Sequence, residues 1–275
     1  MDNRAVGVFD SGVGGLTVVS EIMRALPDEE IIYFGDTARA PYGPRSPRAV
    51  TEFSRQIISF LLTKDVKAVV IACNTACACG LETLSAEFGV PLLGMIAPGA
   101  DAGIRATRGG AVGVIGTAAT VRSGAYERAL RQRREGIAVY SKACPLFAPL
   151  AEEGWTDNAV ARMTAEIYLG EFAGKGIDTL ILGCTHYPLL YGCIRRALGG
   201  ARDIHIVDPA ENAAAAIKAY LLENNMLRAG AAPEHKFYVS EETPAFGKLC
   251  GSLLGRGFAA EKLDIGAFNG VKNDT

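Results

Sequence analysis

The chain has 275 residues, of which 49% are hydrophobic and 21% charged, with a formal net charge of −2. This is enough chain for one large or two small cores, and it lacks the basic surplus that marks binding to nucleic acid or anionic membrane. The N-terminus has no basic region, long apolar stretch or small-residue cleavage site, and the longest apolar run, Ala68 to Cys73, is strand-sized. The expectation is a cytoplasmic protein whose seven cysteines are reduced thiols.

In chain order, strands are predicted at AVGVFD (5–10), IIYFG (31–35), KAVVIA (67–72), PLLGMI (91–96) and AVGVIG (111–116). They continue with IAVYSK (137–142), DTLILG (178–183), IHIVD (204–208) and KFYVS (236–240). Helical patterns lie between them. Over 46–64, Ser46 is placed to cap and Pro47 suits the first helical position, while Phe53, Ile57, Phe60, Leu61 and Lys64 share a face. The basic cluster Arg131, Arg133 and Arg134 stands beside Glu127 and Glu135 and reads as a solvated helix face. Nearly all-apolar strands joined by helices imply parallel sheets covered on both faces, an α/β fold.

An internal repeat refines this. VGVFDS (6–11) recurs as VGVIGT (112–117), IIYFGD (31–36) as IAVYSK (137–142), and KDVKAVVIACNTA (64–76) as KGIDTLILGCTHY (175–187). Three strand-to-helix corners thus return in the same order, which predicts two related lobes around a pseudo-twofold axis. Their boundaries are placed at 1–97 plus 208–275 and at 98–207. Parallel sheets present ligands at the carboxyl ends of their strands, so the site is expected in the cleft between the lobes. The polar tail from Ile265 to Thr275 is expected to fray.

Cys73 and Cys184 are the matched pair in the repeat, each after an apolar strand and before a helix start. Exposed amides and a helix N-terminus favour the thiolate, which predicts a lowered thiol pKa. Removing a proton from one face of a carbon and returning one to the other needs two such groups, one ionised and one protonated. Cys77, Cys79, Cys193 and Cys250 read as core thiols. Cys144 is intermediate, because it follows a strand but precedes Pro145.

The first corner, FDSGVGGL (9–16), has Gly12, Gly14 and Gly15 for a tight turn and close approach to a ligand. Thr17 breaks the dinucleotide fingerprint, and no Gly-Lys-Ser/Thr follows to make a Walker loop. Asp10 and Ser11 suit a ligand ammonium or a cap. Tyr42 and Gly43 offer backbone N–H groups to a carboxylate or form a simple turn. Thr117 and Thr120 suit another anionic oxygen or a cap. A metal site is not expected, since the C-x3-C-x-C spacing of Cys73, Cys77 and Cys79 matches neither a zinc pair nor an iron–sulfur pattern.

Taken together, FDSGVGGL (9–16), DTARAPYG (36–43), ACNTA (72–76), GTAAT (116–120), CPLFAPLAEEG (144–154) and LGCTHYPLL (182–190) resemble the glutamate racemase family of the aspartate/glutamate racemase superfamily. The resemblance implies interconversion of L- and D-glutamate without pyridoxal phosphate or metal, supplying D-glutamate for peptidoglycan. It implies Cys73 as base for the D-enantiomer and Cys184 for the L-enantiomer. It also implies substrate contacts from Asp10, Ser11, Tyr42, Gly43, Asn74, Thr75, Thr185 and His186, with Thr117 and Thr120 nearby and Asp36 and Glu152 as supporting acids. A homodimer is implied as well. The competing readings are an aspartate racemase and a non-catalytic protein that binds an amino acid or a partner in the same cleft.

Overall fold

The computed structural model describes residues 1–199, 204–230, 233–255 and 257–268. Its first half alternates β1 (Val6–Asp10), α1 (Leu16–Ala25), β2 (Ile31–Gly35), α2 (Pro47–Leu62), β3 (Ala68–Ile71), α3 (Asn74–Glu87), β4 (Leu92–Gly94) and α4 (Ile96–Ala106). Then come β5 (Ala111–Gly116), α5 (Ala118–Ser123), α6 (Ala125–Arg133), β6 (Ala138–Ala143), α7 (Phe147–Glu152), α8 (Ala159–Leu169) and β7 (Thr179–Gly183). A 3-10 turn (Tyr187–Leu190) leads into α9 (Tyr191–Ala197), followed by β8 (His205–Val207), α10 (Pro209–Glu223), β9 (Lys236–Val239), α11 (Pro244–Leu254) and β10 (Ala260–Lys262).

The strands form two parallel sheets, ordered β10-β9-β2-β1-β3-β4 and β6-β5-β7-β8. The order β2-β1-β3-β4 is repeated by β6-β5-β7-β8, so the repeated sequence segments occupy equivalent strands. In each sheet the chain reverses its winding between the first and third of these strands, β1 and β3 or β5 and β7. Ligands of open α/β sheets bind at such switch points, beyond the carboxyl ends.

Period-two alternation sorts the second sheet into two cores. Val112, Val114 and Ile181 join a large cluster that runs through the first sheet and α10, whereas Ile115, Leu180 and Leu182 face a smaller one with Phe147, Ala161 and Ala165. Helix α10 packs on both α1 and α4 and ties the sheets together. At the amino ends of β2 and β3, away from the switch points, Lys67 is buried against Glu29 at 2.5 Å. Its Nζ also donates to the carbonyls of Asp2 and Met226, each at 2.8 Å.

Local chemistry explains the boundaries. Ser46 caps α2 by accepting from the amide of Ala49 at 3.2 Å, with Pro47 at the first helical position. Arg131 pairs with Glu127 at 2.8 Å along α6, as a solvated face requires. Three expectations need correction. The strand at 91–96 shrinks to Leu92–Gly94 because Met95 and Ile96 already turn into α4. Strand β10 was not foreseen, since a charged three-residue edge carries no apolar alternation. The tail does not fray from Ile265: that side chain is buried, and the Phe268 ring lies 5.3 Å from that of Phe60. Residues 269–275 lie outside the described residues.

Candidate active site

Four strand ends converge on one cavity. Its lining includes Ser11 after β1, Cys73, Asn74 and Thr75 after β3, Thr117 after β5, and Cys184, Thr185 and His186 after β7, together with Pro41, Tyr42, Gly43 and Ala148. Cys73 and Cys184 therefore face a shared space from equivalent corners of the two lobes. The cavity holds about 20 Å³, roughly one water-sized sphere, so an amino acid enters only if the lobes part.

The contacts that must yield are hydroxyls and amides. Thr75 Oγ1 lies 2.8 Å from Thr117 Oγ1 and 3.3 Å from Thr120 Oγ1 across the cleft. Thr185 Oγ1 donates to Asp10 Oδ1 at 3.3 Å. The amide of Ala119 donates to the Gly43 carbonyl at 3.2 Å.

At the first corner Gly15 serves the tight turn the sequence suggests, since a Cβ there would fall 2.4 Å from that of Asp10, but Gly14 does a different job. Neither Gly12, Gly14 nor Gly15 has a positive φ. Gly14 instead provides room for the other lobe: a Cβ there would fall 2.5 Å from Thr185 Oγ1 and from His186 Nδ1. Gly43 likewise abuts Thr117, with a Cβ position only 2.8 Å from that residue's Cβ.

The two thiols have unlike surroundings. Cys73 caps α3, its sulfur accepting from the amide of Ala76 at 3.4 Å. The expectation of a lowered pKa is corrected here. Burial pushes the Cys73 thiol well up and the buried carboxylate of Asp10 adds to this, while the Ser11 hydroxyl and the Ala76 amide pull only weakly the other way. Desolvation thus outweighs the helix N-terminus. Cys184 is not followed at once by an α-helix, and its carbonyl instead accepts from Tyr187 as the chain enters the 3-10 turn. Its sulfur lies 3.8 Å from His186 Nδ1.

On its other side, His186 Nε2 lies 2.9 Å from Glu152 Oε1. Burial disfavours a charged ring, but hydrogen bonds to Cys184 and Glu152 outweigh it and raise His186 well above the ordinary histidine range. Asp10 is fully buried. Burial raises its carboxyl above the ordinary range, against the nearby His186 and the amides of Gly15 and Gly12, the latter donating at 3.1 Å. Asp36 does not line the cavity. Its carboxylate accepts from Arg39 Nε at 2.7 Å, from Ser240 Oγ at 2.8 Å and from the Tyr42 hydroxyl, and so holds the Tyr42–Gly43 turn.

Sequence reasoning passed over Ala148, Tyr126 and Ser240. Ser240 stands at the carboxyl end of a parallel strand, as Asp10 and Asp36 do, so the same positional logic identifies it. Tyr126 and Leu130 are the buried pair on the otherwise charged α6, and their i,i+4 spacing was the available signal. Cys77, Cys193 and Cys250 are core thiols, while Cys79 is partly exposed. Cys144 resolves as core: it is buried and pushed up to about 12 by desolvation.

A model of the Asp/Glu/Hydantoin racemase family matches residues 8–217. The chain belongs to that family. Membership makes it an isomerase of the racemase class, and the resemblance read from its corners is borne out over nearly the whole chain. The glutamate racemase of Geobacter metallireducens is 49% identical over 253 residues, covering 92% of this chain and 93% of that one. The Streptococcus gordonii glutamate racemase is 43% identical over 267 residues, covering 96% and 100%. Among solved structures, a glutamate racemase isoform from Bacillus anthracis superposes with a TM-score of 0.92 at 40% identity, covering 96% of this chain and 98% of its own. The Francisella tularensis glutamate racemase, solved with D-glutamate, gives 0.90 at 37% identity over 98% and 100%. Both share the two-lobed arrangement of this racemase.

Proposed function

We propose that this racemase interconverts L- and D-glutamate by proton transfer at the α-carbon between Cys73 and Cys184, with no cofactor. The observation that carries the reading is that both thiols line one cavity from symmetry-equivalent corners. A carbon held between them exposes opposite faces to the two sulfurs. Cys184 as thiolate takes the α-proton of L-glutamate, and the thiol of Cys73 delivers its own proton to the other face. The D-to-L direction reverses these roles.

Asp10 and Ser11 receive the ammonium in this reading. A cation arriving beside Asp10 offsets the negative charge that helps raise Cys73, so substrate binding itself eases ionisation of that thiol. Asn74, Thr75 and Thr185 direct donors at the α-carboxylate, where negative charge grows as the proton leaves. Tyr42, Gly43, Thr117 and Thr120 complete the carboxylate contacts. His186, held by Glu152, hydrogen-bonds Cys184. Cleft closure excludes water and strengthens these interactions.

The same reading places the chain in the cytoplasm as a homodimer that supplies D-glutamate to peptidoglycan, with lobes at 1–97 plus 208–275 and 98–207. Among the described residues no helix is long and apolar enough to cross a membrane.

The test is racemisation in D2O under reducing conditions without added cofactor. L-Glutamate is expected to lose optical activity and gain deuterium at the α-carbon. Cys73→Ala and Cys184→Ala are each expected to stop racemisation; full activity in either variant refutes the two-thiol assignment. Faster turnover of L-aspartate than of L-glutamate would overturn the substrate.

A further inference from the structure

We infer that Tyr126 is a positioning residue that fixes the orientation of the Asn74 side-chain amide. The inference rests on the racemase reading above, in which Asn74 is a donor to the substrate carboxylate. Tyr126 comes from α6 in the lobe of the second sheet, Asn74 from the corner after β3 in the other lobe. The Tyr126 hydroxyl donates to Asn74 Oδ1 at 2.7 Å, and both residues are buried.

A buried phenol must place its proton on an acceptor. Among the described residues Asn74 Oδ1 is the acceptor that Tyr126 has. If the amide flipped, its NH2 would face the hydroxyl and the phenolic proton would lose its partner. The flip would also aim Oδ1 into the cavity, presenting an acceptor to an anionic carboxylate. One hydrogen bond therefore decides whether Asn74 attracts or repels the substrate. The ring itself is held firmly: a Cβ on Gly183 would lie 3.1 Å from its edge, and one on Gly99 3.1 Å from its hydroxyl. Gly183 immediately precedes Cys184, so Tyr126 touches both cysteine-bearing corners.

The test is a double-mutant cycle on Tyr126→Phe and Asn74→Ala, read by racemisation and by α-deuterium incorporation, which remains measurable in slow variants. Tyr126→Phe keeps the ring and its packing, and is expected to lower kcat by about 10- to 100-fold while KM changes by less than about threefold. If Tyr126 acts through Asn74, the double variant is as active as Asn74→Ala alone, and the Phe substitution adds no further loss. Two results would overturn the inference. One is Tyr126→Phe within twofold of wild type. The other is an equal loss from Tyr126→Phe whether or not Asn74 is present, as a purely structural tyrosine would give. An inert wild type would instead sink the racemase reading itself, and this inference with it.

Discussion

Replacing Gly14 with alanine probes how closely the two lobes must approach. The added Cβ would lie 2.5 Å from Thr185 Oγ1 and His186 Nδ1, whereas ordinary contact begins at 3.4 Å. The atoms in the way belong to the corner that carries Cys184. Making room requires the Thr185 and His186 side chains to yield by about 0.9 Å, and displacement on the order of 1 Å at a reacting centre costs about 100-fold in rate. Gly14 does not lie in the left-handed region, so the substitution adds no backbone strain and the variant should fold. Gly12→Ala provides the comparison. Its Cβ would meet Ala40 and Glu152 at 3.6 and 3.7 Å, which is ordinary contact. Steady-state racemisation of D-glutamate followed by circular dichroism, with melting temperatures for both variants, reads the difference. Gly14→Ala is expected to keep its melting temperature and lose about two orders of magnitude in kcat/KM, and Gly12→Ala to stay within about threefold of wild type. Near-wild-type activity in Gly14→Ala would refute the claim that catalysis depends on where Gly14 lets Thr185 and His186 stand.

Two further predictions concern stability. Burial raises the carboxyl of Asp208 from 3.8 to about 6, against the amide of Ala210 that it caps. The folded state therefore binds the extra proton, and stability falls as pH rises through about 4 to 6. Asn caps as well as Asp, so Asp208→Asn is expected to gain about 3 kcal/mol above pH 6 and nothing below about pH 4; urea melts across that range check it, and a pH-independent difference would contradict it. Lys67→Met strands the buried Glu29 carboxylate and is expected to cost about 3–5 kcal/mol, measured by thermal melting, with kcat unchanged below the transition. Adding Glu29→Gln should recover part of the loss, and no recovery would mean that the charge pair was not the cause.

The strand-to-helix corners were legible in the sequence because chemistry and topology share a position there. An apolar strand must end where the chain leaves the core, and in a parallel sheet that end is where ligands bind. Ser11, Cys73, Thr117 and Cys184 stand at or just beyond such ends and line the cavity, and the repeat pairs the two cysteines from sequence alone. Asp36 was placed near the site by the same rule, but its job of holding Tyr42 depends on Ser240, which is distant in sequence. Tyr126 could be seen as buried but not as bonded to Asn74, because a hydrogen bond between lobes leaves no trace in local spacing.

What the sequence determined alone was therefore the fold class, the twofold repeat, the family and the pair of thiols. These follow from periodicity and order along the chain, which are local properties. Tertiary structure decided the rest. Whether Cys73 is raised or lowered depends on how much water burial removes and on the nearby Asp10, not on the helix start its neighbours announce. Whether Gly14 serves a ligand or the opposing lobe depends on a separation across the cleft. Both are distances between segments far apart in the chain, and only the packed molecule sets them.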